Sequence, residues 1–276
     1  MRQRTCGRSR LLALLALVLG YSFAALPGHA APNAPVEQEE AHAASRLGVA
    51  GLVGSLQVER HAGADIRLVL RGSAAALARV RREVQGDLLQ VTVAPAPAGT
   101  GSVVSASNNT VIALGGRATL NVGSAELSVE GASEPPLEVR AYVPAATPLA
   151  IRGLIGDLSV QGVDGPLEVE LVGGQARLDR ATDGRLVVVG GSRIELAMAT
   201  GDLTIAVQGA GEVVVADAAL NRLEVALNGT GDVTVGGTAE QASVQIAGVG
   251  NVAIDEVRER PQVSLLGIGR VAIGNW

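Results

Sequence analysis

Four carboxylates that each follow a glycine, Asp157, Asp202, Glu212 and Asp232, are the residues of this chain best placed to do chemistry. If successive turns stack, several of these side chains fall along one edge, and a column of carboxylate oxygens suits a calcium ion. Gln175, Asn251 and Arg270 occupy the equivalent places elsewhere and interrupt such a column. Asp and Asn also favour turns because they hydrogen-bond their own backbone. The plainer reading is therefore structural, and no metal is assigned. A second charged group, Asp179, Arg180, Asp183 and Arg185, carries the carboxylates and arginines that polysaccharide lyases and hydrolases use along one face. Its plainer reading is a solvated loop.

Other chemistry is scarce. The chain has three histidines and one cysteine. His42 sits in an acidic stretch and His61 between two apolar runs, so both read as solvated. No G-x-S-x-G elbow accompanies a positioned imidazole, which leaves no Ser-His-Asp triad. Zinc ligation by cysteine or clustered histidine has no ligands to draw on. The GxG elements lack the helix that a dinucleotide site needs after its glycines, because an alternating apolar run follows each of them. No cofactor and no catalytic residue is assigned.

The amino terminus decides the compartment. Arg2, Arg4, Arg8 and Arg10 precede the aliphatic run from Leu11 to Leu19, and Gly28-His29-Ala30 supplies small residues at a cleavage site. Residues 1–30 read as a signal peptide, and the apolar run is short for a membrane span. Cleavage removes Cys6, so the mature chain has no thiol and no disulfide. It also removes four arginines, leaving 18 basic against 27 acidic residues, a net charge of −9. A chain that acidic, whose only remaining aromatic rings are Tyr142 and Trp276, is not a nucleic-acid binder. The reading is thus an exported protein of the periplasm or cell surface, with no membrane span after cleavage.

Residues 31–46 are acidic and proline-bearing and read as a disordered leader. Alternating apolar residues mark strands at Leu52, Leu56 and Val58 and at Ile66, Leu68 and Leu70. Ser73 to Val84 breaks that period. Ser73 is a plausible N-cap, and Leu77, Val80 and Val84 fall at helical spacing, so one short helix is expected near the amino-terminal end. A strand follows over Leu88–Val93, and residues 94–110 are rich in Pro, Gly and Ser and read as a flexible loop. Further strands are expected in 111–120, 125–129 and 137–143.

The second half repeats. VQGAGEVVV, LNGTGDVTV, IAGVGNVAI and LLGIGRVAI align so that Gly211, Gly231, Gly250 and Gly269 are 20, 19 and 19 residues apart. Paired aliphatics precede and follow every GxG. Weaker copies lie at Gly156-Asp157, Gly173-Gly174 and Gly201-Asp202. Such a period marks a solenoid. Each unit offers two short strands and too few apolar side chains to fold alone. Stacking units about 4.8 Å apart pairs every strand with its neighbours and builds aliphatic ladders. A glycine at the same corner of each rung tolerates positive φ and lets rungs approach closely. Glycine makes up about 13% of the chain against an average near 7%. The fold class is all-β, a right-handed parallel β-helix with rungs of about 19–20 residues. The short helix or the first strands should cover one end, and the tail at Trp276 the other.

These residues resemble the putative auto-transporter adhesin, head GIN domain family of secreted bacterial proteins. GAGEV, GTGDV, GVGNV and GIGRV stand where that family repeats G-S-G-D/N-V-like units. EVQGDLLQVTV at 83–93 is similar to its segment leading towards the repeats, and VRAYVPAATPLAIRGLIGDLSVQGV at 139–163 to its entry strand. Ala210, Thr230, Val249 and Ile268 replace the usual serine, and Arg270 stands where Asp or Asn is expected. The resemblance covers residues 47–276, taken as one domain. It implies a β-helix, an export signal and an adhesion or binding scaffold, with a cell-surface glycan or protein as partner. The alternatives are a β-helical carbohydrate-active enzyme and an envelope scaffold for protein–protein interaction.

Overall fold

The computed structural model describes residues 35–95 and 136–276 and, between them, the backbone of four strands. The expected signal peptide, residues 1–30, lies outside the described residues, as do 31–34 of the leader and most of 94–110. In chain order the strands are β1 (Val36–His42), β2 (Arg46–Ala50), β3 (Val53–Arg60) and β4 (Ile66–Gly72). Helix α1 (Ala74–Ala78) follows, then β5 (Val80–Gln85) and β6 (Leu88–Val93). Next come β7 (Val103–Ala106), β8 (Asn109–Ile112), β9 (Arg117–Val122), β10 (Ala125–Glu130) and β11 (Leu137–Val143). Then β12 (Leu149–Gln161), β13 (Leu167–Val207), β14 (Ala210–Leu227) and β15 (Thr230–Ile246) run on through their corners. Last are β16 (Val249–Val257), β17 (Gln262–Leu265) and β18 (Ile268–Asn275).

The architecture is a parallel β-solenoid of about seven turns. One stack runs β1-β4-β11-β3-β12-β13-β14-β15-β16-β18. Its inward ladder passes through Leu70, Val139, Leu56, Leu158 and Ala176, and later through Ile194, Val213, Val233, Val252 and Val271. A second stack begins β5-β6-β2-β12, continues through the other parts of the long strands, and ends with β17 on β15. Its inward residues include Val91, Val49, Ile151 and Val169, then Leu223, Ala242 and Val263 in later rungs. Alternation along each strand sends one apolar set into the space between the stacks. Burying a side chain of this size contributes about 1.5–3 kcal/mol.

The glycines stack as registered neighbours: Gly211 with Gly231, Gly231 with Gly250, and Gly250 with Gly269. The column begins upstream with Gly54, Gly156 and Gly174, and Ser192 stands beside Gly211. Positive φ does not explain the later part, because Gly211, Gly250 and Gly269 lie outside the left-handed region. Close approach does. A Cβ on Gly250 would run into the Gly231 carbonyl oxygen, and one on Gly248 into that of Gly229. Any side chain there would push one rung off the next.

Three expectations need correction. The leader is not wholly disordered: Val36–His42 forms β1 and pairs antiparallel with β4. Its acidic, mostly exposed side chains hid it, since what holds it is the open backbone edge of β4, helped by Arg82, which donates to Glu40 and Gln38. The helix is one turn. Ser73 caps it through its hydroxyl, which accepts from the Ala76 amide at 3.0 Å. The expected helical run from Val80 is instead β5, antiparallel to β6 across Gly86, whose φ of +64° suits a tight hairpin. Leu77, Val80 and Val84 fit a helix by spacing, but β6 offers a ladder partner, and Val84 ends 46% exposed. Third, part of the expected 94–110 loop is strand: β7 pairs antiparallel with β8. The strands expected in 111–120 and 125–129 correspond to the end of β8, to β9 and to β10, and β9 pairs antiparallel with β10.

Candidate functional site

Outward-facing side chains of the first stack form the most developed surface. Residues two apart in a strand share a face, and registered residues one rung on lie beside them. Arg177 thus meets Glu195 at 3.6 Å. Arg193 donates to Glu195 at 2.8 Å and to Glu212 at 2.6 Å. The result is one ladder, Arg177–Glu195–Arg193–Glu212, with its signs alternating in space. The hydrogen bond to Glu195, and next the charge of Glu212, raise the Arg193 pKa above its ordinary value. These side chains are about half exposed, so the pairs add little stability. Their effect is to fix the direction of charged groups on a rigid sheet. Beside the ladder runs a shallow groove of about 680 Å³, edged by Ser159, Gln161 and Asp179 and floored in part by Ala197, Val214 and Ala216.

The four candidate calcium ligands do not share an edge. Glu212 and Asp232 are registered neighbours in the first stack. Asp157 lies on that face but is registered with Gln175. Asp202 lies at the opposite corner, registered with Arg222, and Gly201 is registered with Leu220 rather than with the glycine column. Glu212 is engaged by Arg193, and Asp232 Oδ1 accepts from both the Asn251 amide at 3.0 Å and its side-chain nitrogen at 2.8 Å. Among the described residues no group of three or more His, Cys, Asp or Glu is placed to hold a metal ion.

Turn carboxylates bind backbone between rungs. Asp179 accepts from Gly162, Asp183 from Asp202, Asp232 from Asn251 and Asp255 from Gly237. Asp183 holds a φ of +55°, a conformation Asp tolerates better than most residues. The group expected to act on glycans is divided. Asp179 borders the first groove, whereas Asp183 and Arg185 border a second, of about 510 Å³, with Arg46, Glu168, Pro148 and Pro166. Arg180 is paired with Asp164 at 3.0 Å.

His61 is not simply solvated. Its Nδ1 accepts from the Gly63 amide at 3.0 Å, which leaves Nε2 to donate to the Asp65 carbonyl at 2.6 Å, so the ring ties the β3–β4 turn together. Sequence reasoning passed over Arg177, Arg193 and Glu195. The signal was present as polar residues alternating at two-residue spacing, but the face they share depends on register between rungs 18 or 19 residues apart.

A family model described as "Putative auto-transporter adhesin, head GIN domain" matches residues 50–273. A solved structure of a putative adhesin from Bacteroides fragilis is similar in fold, with a TM-score of 0.54 at 13% identity, covering 87% of this chain and 97% of that one. A putative adhesin from Parabacteroides distasonis has a TM-score of 0.45 at 13% identity, over 87% of this chain and 97% of its own. A putative lipid binding protein from that organism has a TM-score of 0.39 at 13% identity, over 88% and 96%. No curated protein matches the chain. Among the described residues no helix is long and apolar enough to cross a membrane.

Proposed function

This chain belongs to the family of the auto-transporter adhesin head GIN domain, and from that premise we propose that it is an exported, non-catalytic binding scaffold of the periplasm or cell surface. The partner is a cell-surface glycan or protein, engaged through polar contacts with the Arg177–Glu195–Arg193–Glu212 ladder and the groove beside it. The observation that carries this reading is the ladder itself. Four charged groups from three successive rungs are held at fixed spacing on one exposed face, where they do little for stability. Charges so arranged give direction to an encounter and select among partners. A ligand there would replace the ladder's hydrogen bonds to water with its own, and the aliphatic floor would add a small apolar contact.

The test is a glycan and host-protein binding array with the purified protein, with and without calcium. Binding without turnover is expected, unaffected by calcium removal. The Arg177→Ala, Arg193→Ala double variant should lose at least about ten-fold in affinity, because truncating charged contacts costs more than 1.4 kcal/mol. Its melting temperature should barely move. Turnover of a glycan, abolished by Asp179→Ala or Asp183→Ala, would establish the enzyme reading instead.

A further inference from the structure

The two ends of the solenoid are finished differently. At the amino-terminal end the outermost strands are β1 and β5. Together they carry Glu37, Glu39, Glu40, Arg81, Arg82 and Glu83, and charge on an edge strand discourages further pairing. At the other end, among the described residues, β18 pairs only with β16, and β17 only with β15. β17 has no charged residue, and β18 has Arg270 alone. Leu266 and Ile268 are each 76% exposed and Trp276 is 74% exposed. Val263 and Leu265 occupy inward positions, registered with buried Val244 and Ile246, yet remain about half exposed, with no described rung over them. The Trp276 tail, expected to cover this end, does not.

We propose that this open rung is a dimerisation surface and that its occupant is the same rung of a second copy, related by a two-fold axis. The sequence of β18 carries the argument. A two-fold axis perpendicular to the solenoid sets the two β18 strands antiparallel. Centred on Ala272, it places Val271 opposite Ile273, Arg270 opposite Gly274, Gly269 opposite Asn275 and Ile268 opposite Trp276. Directly opposed residues of an antiparallel pair point to the same face. Val271 and Ile273, which already pack partly buried against the core, would therefore continue the inward ladder into the second copy. Ile268 and Trp276, the two most exposed apolar residues of this stack, would cover each other. Arg270 meets a glycine and not another arginine. The strand is thus self-complementary, as an isologous interface requires. Val263 and Leu265 would face the same enclosed gap from the other stack. The charged amino-terminal edges make a poor alternative occupant, so the assembly closes at two and does not grow head to tail.

Sedimentation of the purified protein over a concentration series should show twice the chain mass, falling to one chain on dilution. Ala272→Asp sets two like charges at the axis and should weaken self-association about ten-fold or more. Because Ala272 is exposed, its circular dichroism and melting temperature at low concentration should be unchanged. In a Cys6→Ser background, Ala272→Cys should form a covalent dimer on mild oxidation, since opposed antiparallel residues lie about 4.5–5.5 Å apart at Cα, within disulfide range. Glu37→Cys on β1 should not. A single-chain mass at every concentration would overturn the proposal. So would mass that grows without limit, or equal cross-linking through β1.

Discussion

Rungs 191–275 and the rungs built from residues 36–160 share a core but are assembled differently. In the later region each strand pairs with the one a single period on, so order in space follows order in the chain. In the earlier region β11 lies between β4 and β3, and β1 and β5 pair antiparallel to their neighbours. Side-chain size does not follow the same division. Among the described residues, leucine and isoleucine are 13 of the 24 buried apolar residues in the earlier region and 9 of 22 in the later one, where Leu223, Leu227 and Ile246 are as fully buried as Leu56. Both regions bury large aliphatics, so what separates them is order: the earlier region joins non-sequential strands, and the later one stacks nearly identical rungs one period apart. The difference teaches that a repeat is a statement about contact between rungs before it is one about composition.

The sharpest way to break this contrast is to put side chains where the backbone carbonyls approach. Gly248→Val drives a branched side chain into the Gly229 carbonyl oxygen of the rung before it. It should cost about 3 kcal/mol or more and unfold the last rungs first, because overpacking has no route for relief here. Gly86→Ala in the earlier region meets nothing within 4 Å, and its cost comes only from its φ of +64°, about 1 kcal/mol. Urea denaturation followed by hydrogen exchange separates the two outcomes. Equal losses from both variants would mean that rung spacing is not what the glycines protect.

Core truncation should show the reverse order. Leu68→Ala removes a fully buried side chain between β11 and β1 and should cost about 2–5 kcal/mol. Val252→Ala in the later ladder removes less volume and should cost about 1.5 kcal/mol, near the transfer value of its methyl groups. Thermal melts of the two variants side by side make the comparison, and a larger loss at Val252 would contradict a cost that follows the buried volume removed.

The same contrast explains what could be read in the residues. GAGEV, GTGDV, GVGNV and GIGRV announce the later rungs because each is the registered neighbour of the next. The approach of β11 to β3 joins Val139 to Leu56, 83 positions apart, and no local pattern carries that information. β1 was hidden for another reason: it is held through backbone on an open edge, so its glutamates look like those of a solvated leader. Val80 and Val84 satisfied helical spacing while β6 offered a better partner. At the site, Asp157, Asp202, Glu212 and Asp232 were individually visible. Which of them are neighbours depends on corners: Asp202 turns at the second stack, and the Arg177–Glu195–Arg193–Glu212 ladder emerges only when rungs are laid in register.

The smallest effect concerns acid. The β3–β4 turn of the earlier region is tied by His61 and by Asp65, whose carboxylate accepts from Arg67 Nε at 3.2 Å. A hydrogen bond from backbone, then the one from Arg67, hold the Asp65 carboxyl below its ordinary value. A carboxylate depressed in the folded state contributes stability that is fully present above the unfolded pKa, near 3.9, and is lost as pH falls through the folded pKa. Neutral pH therefore leaves the turn intact, and the effect is confined to solutions more acid than about pH 4. The Asp65 side chain is about one-third exposed, so solvent limits what its ionisation contributes. Asp65→Asn should leave stability at pH 7 nearly unchanged and flatten the acid limb of the profile slightly, with amide exchange at 61–66 rising before that of 230–255. Exchange that rises first in the stacked rungs would place the acid-sensitive contacts between turns of the coil, and not in the hairpin that precedes them.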